Sequence, residues 1–413
     1  IHGKRKRISQ HRYKGGKTVI KLVPGKFVVV AHYGINSIVE AELEVKDKQL
    51  IETIFDMNVG SLALSATAAK DSKLIDKNVH FSIYLPEKDL NGKRKLVSQQ
   101  RYKGNKTLVI LKAGKYHLQA HYGVNSIVEA DIEIKAKQLV DHTFNMNVGT
   151  MALSATADKD SKLLDKNVHY SIYHPEKDLH GKRKLINQQR YKGNKTLVTL
   201  KAGKYHVVAN YGVNAIAESE VEIKANQLVE NSFNMDVGNI ALSAAQAPGA
   251  GLIEKNLHFY IYDPKKDLHG KRKLVSQQRY KGNKTVVTLK SGEYYLRANY
   301  GLNGLAEKQI EIKPNQLAEH TFDMNTGAVA FSGVEKEGGV AIAKNMHYYI
   351  YLPDKDIHGK RKLVNQQRYK GNKTVVVLKA GKYHIQVQYA DKKVEKEIEI
   401  KANALQEIVF VMK

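Results

Sequence analysis

One segment of this chain returns five times at a constant spacing, and this repetition limits the possible folds more than any other feature. Its glycines lie 89 residues apart, without insertion or deletion, at Gly3, Gly92, Gly181, Gly270 and Gly359. Solenoid repeats have periods of roughly 20–50 residues, whereas this unit is long enough for a small domain with its own core. We therefore predict five consecutive domains, at residues 1–59, 60–148, 149–237, 238–326 and 327–413.

The hydrophobic pattern within one repeat predicts strands. In the second repeat, residues 79–85, 116–122 and 128–134 each alternate apolar and polar side chains, which is the period of a half-buried strand. No segment keeps a helical period, and about seven short strands with frequent turn signals fit into one repeat. The sequence therefore predicts an all-β chain, built as a tandem array of five antiparallel β-sandwich domains.

Local signals also predict how the strands of the second repeat are connected. Pro86 is expected to end the strand that begins at Val79, because proline cannot donate to a sheet ladder. Residues 103–106 contain Gly104 and Asn105, which tolerate positive φ. This turn is expected to close a hairpin between neighbouring extended runs.

The junctions between repeats predict a stiff array. Segments such as Met57–Gly60 lead from one repeat into the next without a Pro/Gly/Ser-rich linker, so neighbouring domains should abut. Five domains of this size in series would form a rod on the order of 150–200 Å long.

The two terminal repeats depart from the pattern. The first has no counterpart of residues 60–90, so we expect either that the chain continues before Ile1 or that strands of a neighbouring molecule complete the domain. The fifth has residues 389–392, Tyr-Ala-Asp-Lys, in place of the Tyr-Gly-x-Asn turn. We interpret it as a capping repeat, with Lys413 at or near the natural C-terminus.

A motif at the centre of every repeat resembles a known signature. Residues 111–118, Leu-Lys-Ala-Gly-Lys-Tyr-His-Leu, are followed by Tyr122 and Gly123. This pattern is similar to that of prealbumin-like and carboxypeptidase-regulatory-like (Ig-like) β-sandwich repeats of bacterial surface proteins. The resemblance implies extracellular or cell-surface structural modules, used as spacers, stalks and adhesin shafts.

Composition excludes several classes of site. The chain carries 67 basic and 41 acidic residues, a net charge of +26, which favours attraction to polyanions or charge-driven assembly. It contains no cysteine, and therefore no disulfide, thiolate metal site or cysteine nucleophile. No apolar run is long enough for a membrane-spanning helix.

The repeated segment is basic and bears a tyrosine. Between Lys93 and Tyr116 there are eight Lys or Arg residues and no Asp or Glu. On a regular strand Arg101 and Lys103 would share one face with Tyr102 opposite, so the segment is a candidate for contact with a polyanion or a protein. The alternative is a solvated hairpin whose lysines protect a sheet edge. The candidate residues are Lys93, Arg94, Lys95, Arg101, Tyr102, Lys103, Lys106, Arg190, Tyr191, Lys192, Lys195, Arg279, Tyr280, Lys281, Lys284, Arg368, Tyr369, Lys370 and Lys373.

Acidic residues alternate along another predicted strand of each repeat and form a possible assembly face. Such a face could complement the basic segment of another molecule, or it could pair with neighbouring lysines of its own sheet. Its candidate residues are Glu129, Asp131, Glu133, Glu218, Glu220 and Glu222.

No arrangement of residues predicts catalysis, a cofactor or a metal ion. His117 and His121 are four residues apart, which on a strand separates them by about 13 Å. We predict a non-enzymatic structural protein, an extracellular or surface filament, stalk or adhesin shaft that associates with itself. The alternative is a multivalent binder of polyanions such as extracellular DNA, lipopolysaccharide or acidic polysaccharide.

Overall fold

The computed structural model of the protein describes residues 6–12, 16–104, 106–371 and 373–413. Ile1, Gly3 and Asn105, which entered the predictions above, lie outside these ranges. The described residues form strands, turns and irregular segments and include no helix. Within them, accordingly, no helix is long and apolar enough to cross a membrane.

The described residues form thirty strands, two in the first repeat and seven in the same order in each of the other four. The first repeat contains β1 (Gly25–Tyr33) and β2 (Ser37–Val45), and residues 6–12 and 16–24 belong to no strand. The second contains β3 (Val59–Thr67), β4 (Val79–Lys88), β5 (Arg94–Lys103), β6 (Thr107–Lys112), β7 (Gly114–Tyr122), β8 (Ser126–Ile134) and β9 (Leu139–Asn145). The third contains β10 (Val148–Thr156), β11 (Val168–Lys177), β12 (Arg183–Lys192), β13 (Thr196–Lys201), β14 (Gly203–Tyr211), β15 (Ala215–Ile223) and β16 (Leu228–Asn234).

The last two repeats keep this order. The fourth contains β17 (Val237–Ala245), β18 (Leu257–Lys266), β19 (Arg272–Lys281), β20 (Thr285–Lys290), β21 (Gly292–Tyr300), β22 (Gly304–Ile312) and β23 (Leu317–Asp323). The fifth contains β24 (Thr326–Val334), β25 (Met346–Lys355), β26 (Arg361–Lys370), β27 (Thr374–Lys379), β28 (Gly381–Tyr389), β29 (Lys392–Ile400) and β30 (Leu405–Val411). The chain forms two compact units; one holds the first two repeats, the other holds the fourth and fifth, and the third repeat is divided between them.

Each complete repeat consists of a four-stranded and a three-stranded sheet. In the second repeat the strand orders are β5-β4-β7-β8 and β6-β3-β9, and the fourth and fifth repeats have the same two orders. All neighbours are antiparallel except the first and last strands of the repeat, β3 and β9, which pair in parallel. The predicted all-β array of tandem β-sandwich domains is therefore confirmed, and the structure adds one parallel pair. The residue boundaries given above for the domains remain a prediction.

Alternating side chains of the two sheets form the core. In the second repeat, Leu62 and Leu64 of β3 meet Phe81 and Ile83 of β4 and Leu118 of β7, and none of these is more than 1% exposed. Their burial is expected because each lies on the inward face of a strand with a period of two. Burying each such side chain stabilises the fold by about 1.5–3 kcal/mol.

Pro86 does not end its strand, which was a wrong prediction. β4 runs through it to Lys88, and the pairing of β4 with β5 shifts register between Tyr84 and Lys88. Pro86 lies in this bulge, where no ladder hydrogen bond is required of its nitrogen. Its carbonyl accepts a hydrogen bond of 3.2 Å from Nε of Arg94 instead.

The predicted hairpin at residues 103–106 is also wrong. β5 pairs with β4 in the four-stranded sheet, whereas β6 pairs with β3 in the three-stranded sheet. The turn between them is therefore a crossover from one sheet to the other. Gly104 is required there because a Cβ at this position would lie 2.0 Å from the backbone of Asp76.

Candidate functional site

The most constrained contacts outside the cores lie where one repeat meets the next. In the first repeat, β1 and β2 are joined by a three-residue turn, Gly34, Ile35 and Asn36, since Tyr33 pairs with Ser37. This turn contacts β6 of the second repeat, where the Ile35 amide donates to the Ile110 carbonyl at 2.9 Å.

The asparagine of the turn completes the contact with its side chain. Nδ2 of Asn36 donates to the hydroxyl of Tyr116 at 2.9 Å, and Oδ1 accepts the Lys112 amide at 2.9 Å. The Tyr116 hydroxyl in turn donates to the Lys112 carbonyl at 2.7 Å. Every polar group of this small network is thus paired, which is what a partly buried polar contact needs.

The same network joins the fourth and fifth repeats. Leu302 donates its amide to the Val377 carbonyl at 2.9 Å, and its side chain packs against the core of the fifth repeat. Asn303 donates to the Tyr383 hydroxyl at 2.9 Å and accepts the Lys379 amide at 2.8 Å. Burial raises the pKa of Tyr383, and the hydrogen bond from Asn303 opposes this shift.

The third and fourth repeats are joined in the same way. Val213 donates its amide to the Thr288 carbonyl at 3.0 Å, and Asn214 donates to the Tyr294 hydroxyl at 2.9 Å. Asn214 also accepts the amide of Lys290 at 2.9 Å. The contact is therefore a property of the repeat and not of one place in the chain.

A glycine opens each of these turns because nothing larger fits. The φ angles of Gly34 and Gly301 are +65° and +64°, which side chains rarely tolerate. A Cβ on either would also lie 2.6 Å from a carbonyl oxygen of the next repeat, that of Ile110 or Val377. We name this arrangement, a Gly-x-Asn turn seated on the next repeat's tyrosine and strand, the docked turn.

The strand that leads into the next repeat is held at the same junction. Asn325, between β23 and β24, has a φ of +46°, which asparagine tolerates better than most residues. Its carbonyl accepts the Ala380 amide at 2.7 Å, and the Thr326 carbonyl accepts the Asn403 amide at 2.9 Å. The connection between β23 and β24 is only two residues long and is hydrogen-bonded to the repeat that follows.

The partner of the Tyr-Gly-x-Asn turn was not predicted from the sequence. Asn36 and Tyr116 are 80 residues apart, so no local pattern pairs them. One signal was present, however, because the fifth repeat lacks both the glycine and the asparagine. Its turn is also one residue shorter, since Tyr389 pairs with Lys392 and only Ala390 and Asp391 lie between them.

The candidate basic residues do not form one surface. Lys93 immediately precedes β5, Arg94 and Lys95 begin it and Arg101 lies near its end, on one edge of the four-stranded sheet. Arg101 donates to Oε1 of Gln99 at 2.8 Å. Arg190 and Arg368 form the same bond with Gln188 and Gln366, and Arg183 reaches Glu220 at 3.3 Å.

The lysine before the fourth strand of each complete repeat forms an ion pair with a carboxylate. Lys195 lies 2.5 Å from Glu230 and Lys284 lies 2.6 Å from Glu319. Lys106 and Lys373 pair likewise with Asp141 and Glu407. These ion pairs belong to the three-stranded sheet and are separate from the basic edge.

The tyrosine of the basic segment is strained, and the predicted alternation around it is wrong. Tyr102 has a φ of +56° and lies at a bulge, because β4 and β5 shift register between Val79 and Phe81. Arg101, Tyr102 and Lys103 are therefore all exposed instead of alternating. The Tyr102 ring contacts His80 edge-on, with ring centroids 4.7 Å apart. Tyr191, Tyr280 and Tyr369 repeat this geometry, with φ between +54° and +56°.

The acidic candidates lie on β8 and β15, and β8 is the other edge of its sheet. Basic β5 and acidic β8 are thus the two opposite edges of one four-stranded sheet. Part of the acidic face is hydrogen-bonded within the sheet, since Nδ1 of buried His117 lies 2.7 Å from Asp131 and Gln119 donates to Glu129 at 2.6 Å. His206 lies 2.7 Å from Glu220 and 3.2 Å from Glu218. In the described parts of the chain, Glu133 and Glu222 form no ion pair.

The fourth repeat replaces that histidine with Tyr295. Arg297 donates to Glu307 at 2.9 Å, and the guanidinium of Arg272 lies 3.7 Å from the centre of the Tyr295 ring. A hydrogen bond from Tyr295, followed by that from Arg297, lowers the pKa of Glu307. Across all described residues, no group of three or more His, Asp or Glu side chains is placed to hold a metal ion.

Comparisons with known proteins find only distant similarity to solved structures. No family model matches the sequence, and no curated protein matches it significantly. Among solved structures, the Bacillus anthracis TIE protein is 14% identical with a TM-score of 0.20, over 88% of this chain and 76% of that chain. A streptococcal ancillary pilin is 13% identical with a TM-score of 0.28, over 64% and 98%. The minor pilin GBS52 of Streptococcus agalactiae is 14% identical with a TM-score of 0.22, over 42% and 94%.

Proposed function

We propose that this protein is a non-enzymatic structural array, an extracellular or cell-surface stalk, filament or adhesin shaft of bacterial type. The docked turn is the observation that supports the proposal. A three-residue turn that hydrogen-bonds the next repeat through both backbone and side chain, beside a connection without slack, opposes bending between domains. Such junctions hold repeats at a fixed spacing, which is the property that a shaft requires.

The test is the dimension of the isolated chain. Small-angle X-ray scattering should give a rod with a maximum dimension on the order of 150–200 Å. Replacing Gly34, Gly212 and Gly301 with alanine should broaden the distance distribution, whereas Ala390→Gly should leave it unchanged. A compact particle, or a wild-type chain as flexible as the triple variant, would contradict the proposal.

We further propose that these arrays associate side by side. Opposite edges of one sheet carry opposite charge, so the acidic edge of one molecule complements the basic edge of another. Like edges repel, which disfavours symmetric pairing of two acidic or two basic edges.

A charge exchange tests this association. Glu133, Glu222, Glu311 and Glu399 changed to lysine should abolish salt-sensitive association in sedimentation velocity. Lys95, Lys184, Lys273 and Lys362 changed to glutamate should do the same. A mixture of the two variants should associate again, and failure of the mixture would reject the edge-to-edge arrangement.

A further inference from the structure

Each complete repeat displays an apolar side chain at the tip of the turn between its second and third strands. Leu90 is fully exposed to solvent. Single exposed apolar residues are ordinary on protein surfaces, but this one occupies the same position in four repeats. The residue that follows it changes from Asn91 to histidine in the other three repeats. We name the four side chains the apolar tips: Leu90, Leu179, Leu268 and Ile357.

The turn that carries each tip is rigid. The Asp89 amide donates to the Lys93 carbonyl at 2.8 Å, and the Gly92 amide donates to the Asp89 carbonyl at 2.9 Å. Oδ1 of Asp89 accepts the amides of Asn91 and Lys93 at 2.9 Å and 2.8 Å. Gly92, with a φ of +74°, closes the turn in a conformation that a side chain would strain.

This geometry recurs in the other complete repeats. Asp178, Asp267 and Asp356 each accept the equivalent two amides at 2.8–2.9 Å. The base of the turn is fastened as well, since Arg183 and Arg272 donate to the carbonyls of Pro175 and Pro264. Hydrogen bonds therefore hold the backbone that carries each tip, and binding through the tips would cost little backbone entropy.

Cationic residues flank each tip and are most numerous in the fourth repeat, since the other three repeats have Glu87, Glu176 or Asp354 at the position of Lys265. In the fourth repeat, Lys265 and Lys266 precede the turn, and residues 271–273, Lys-Arg-Lys, follow it. Lys266, Lys271 and Lys273 are exposed, and no ion pair engages them in the described structure. The carboxylate inside the turn, Asp267, is occupied by two backbone amides. The tip of the fourth repeat is therefore an exposed apolar side chain with positively charged side chains around it.

We propose that the apolar tips insert into the surface of an anionic phospholipid bilayer. A protruding leucine finds apolar surroundings only just below the headgroups, while the lysines beside it remain at the level of the negative charges. Two or more tips that reach the same bilayer add up through avidity, so no single turn needs a high affinity. A simple polyanion would engage the lysines and leave the leucines in water, which separates this proposal from a polyanion binder.

The first experiment compares vesicles and two matched variants of the full chain. Wild-type protein should co-sediment with vesicles of phosphatidylcholine and phosphatidylglycerol, more weakly in high salt, and not with phosphatidylcholine alone. Serine at all four apolar tips should lower the partition coefficient at least about tenfold. Serine at Leu108, Leu197, Val286 and Val375, which are 56–64% exposed on the other sheet, should change it less than about twofold.

The second experiment uses the absence of tryptophan from the chain. Leu268→Trp places a single fluorophore at a tip, and anionic vesicles should shift its emission to shorter wavelength and allow quenching by brominated lipid. Val286→Trp in the same repeat should show neither effect.

Each outcome decides the matter. Equal binding by wild type and the tip variant would overturn the proposal and would indicate a purely electrostatic contact. An unshifted Leu268→Trp spectrum would also overturn it. Binding to neutral vesicles as tight as to anionic ones would overturn it too. The proposed shaft function is independent of this result, since scattering measures it without lipid.

Discussion

The fourth and fifth repeats share a fold but end one pair of strands differently. β21 and β22 are joined by Gly301, Leu302 and Asn303, which form the docked turn. β28 and β29 are joined by Ala390 and Asp391 alone. Both turns connect strands paired in nine-residue register, so the hairpin itself requires neither the glycine nor the asparagine.

The difference therefore assigns those residues to the junction. In the fourth repeat the turn projects one residue further, and its first residue must lack a Cβ because the Val377 carbonyl lies against it. In the fifth repeat Ala390 keeps a positive φ of +49° but carries a methyl group. In the fourth repeat, the strained turn is offset by its contact with the next repeat. In the described structure, the turn of the fifth repeat makes no such contact.

The largest effect is expected at the glycine of the docked turn. Gly301→Ala combines a left-handed φ with a contact of 2.6 Å to the Val377 carbonyl. It should weaken the junction by about 2–3 kcal/mol. Hydrogen exchange at the Leu302 and Lys379 amides should accelerate by about 30-fold or more.

The shorter turn provides the control for this change. Ala390→Gly should leave exchange throughout the fifth repeat within about twofold of wild type. Similar acceleration in both variants would mean that the two turns do not differ in role.

A smaller effect is expected at the asparagine. Asn303→Ala removes two hydrogen bonds and leaves the Lys379 amide without its acceptor. The junction should lose about 1–2 kcal/mol, because the turn backbone still bonds Val377. Tyr383→Phe combined with Asn303→Ala should cost less than the sum of the single changes, as expected for one network. Additive costs would show that the asparagine and tyrosine act separately, and Asp391→Ala should be neutral.

The cores of these two repeats offer a third comparison. Tyr348 occupies in the fifth repeat the position of Phe259 in the fourth, and both are fully buried. The Tyr348 hydroxyl has no hydrogen-bond partner among the described residues, and burial raises its pKa to about 12. Tyr348→Phe should stabilise the fifth repeat by up to about 1 kcal/mol in thermal unfolding.

Alkaline pH should enlarge this difference. Because the folded pKa lies above the ordinary value of 10.0, the stability linked to neutral Tyr348 is complete below pH 10 and is lost as the pH rises through about 12. The phenylalanine variant should lack that loss. Phe259→Tyr should introduce it into the fourth repeat, and a neutral result there would reject the explanation.

Residues with a local signal were predictable from the sequence, and those defined by distant partners were not. Alternation at Val79, Phe81 and Ile83 identified the core face of β4, because the strand period depends only on local geometry. The sheet to which β6 belongs was not predictable, since it depends on Gly104 packing against the backbone of Asp76. Turn propensity predicts that the chain reverses direction, but it does not predict which sheet the next strand joins.

The same distinction between local and distant causes applies to the candidate surfaces. The acidic face of β8 followed from its alternation, but its position at the edge opposite basic β5 required the strand order. The exposure of Arg101, Tyr102 and Lys103 together depends on a bulge, and a single inserted residue in the register leaves no mark in a strand-forming sequence. Lys106 resembled its basic neighbours, yet the crossover places it beside Asp141.

The smallest expected effect concerns acid. His320 of the fourth repeat lies edge-on to Phe322 with ring centroids 4.5 Å apart, and the fifth repeat has Ile408 at this position. Burial, and secondarily Lys308, lowers the pKa of His320 below its ordinary 6.5. A lowered folded pKa means that the stability from neutral His320 is present above pH 6.5 and is lost as the pH falls.

His320→Ile should therefore protect the fourth repeat against acid. Between pH 7.5 and pH 5 its unfolding temperature should fall less than that of wild type, by about 1–2 °C. Exposed His358 is the matched control, and His358→Ile should follow the wild-type pH dependence. If both variants gain equally at low pH, the cause is the loss of a positive charge from a basic chain and not the burial of one imidazole.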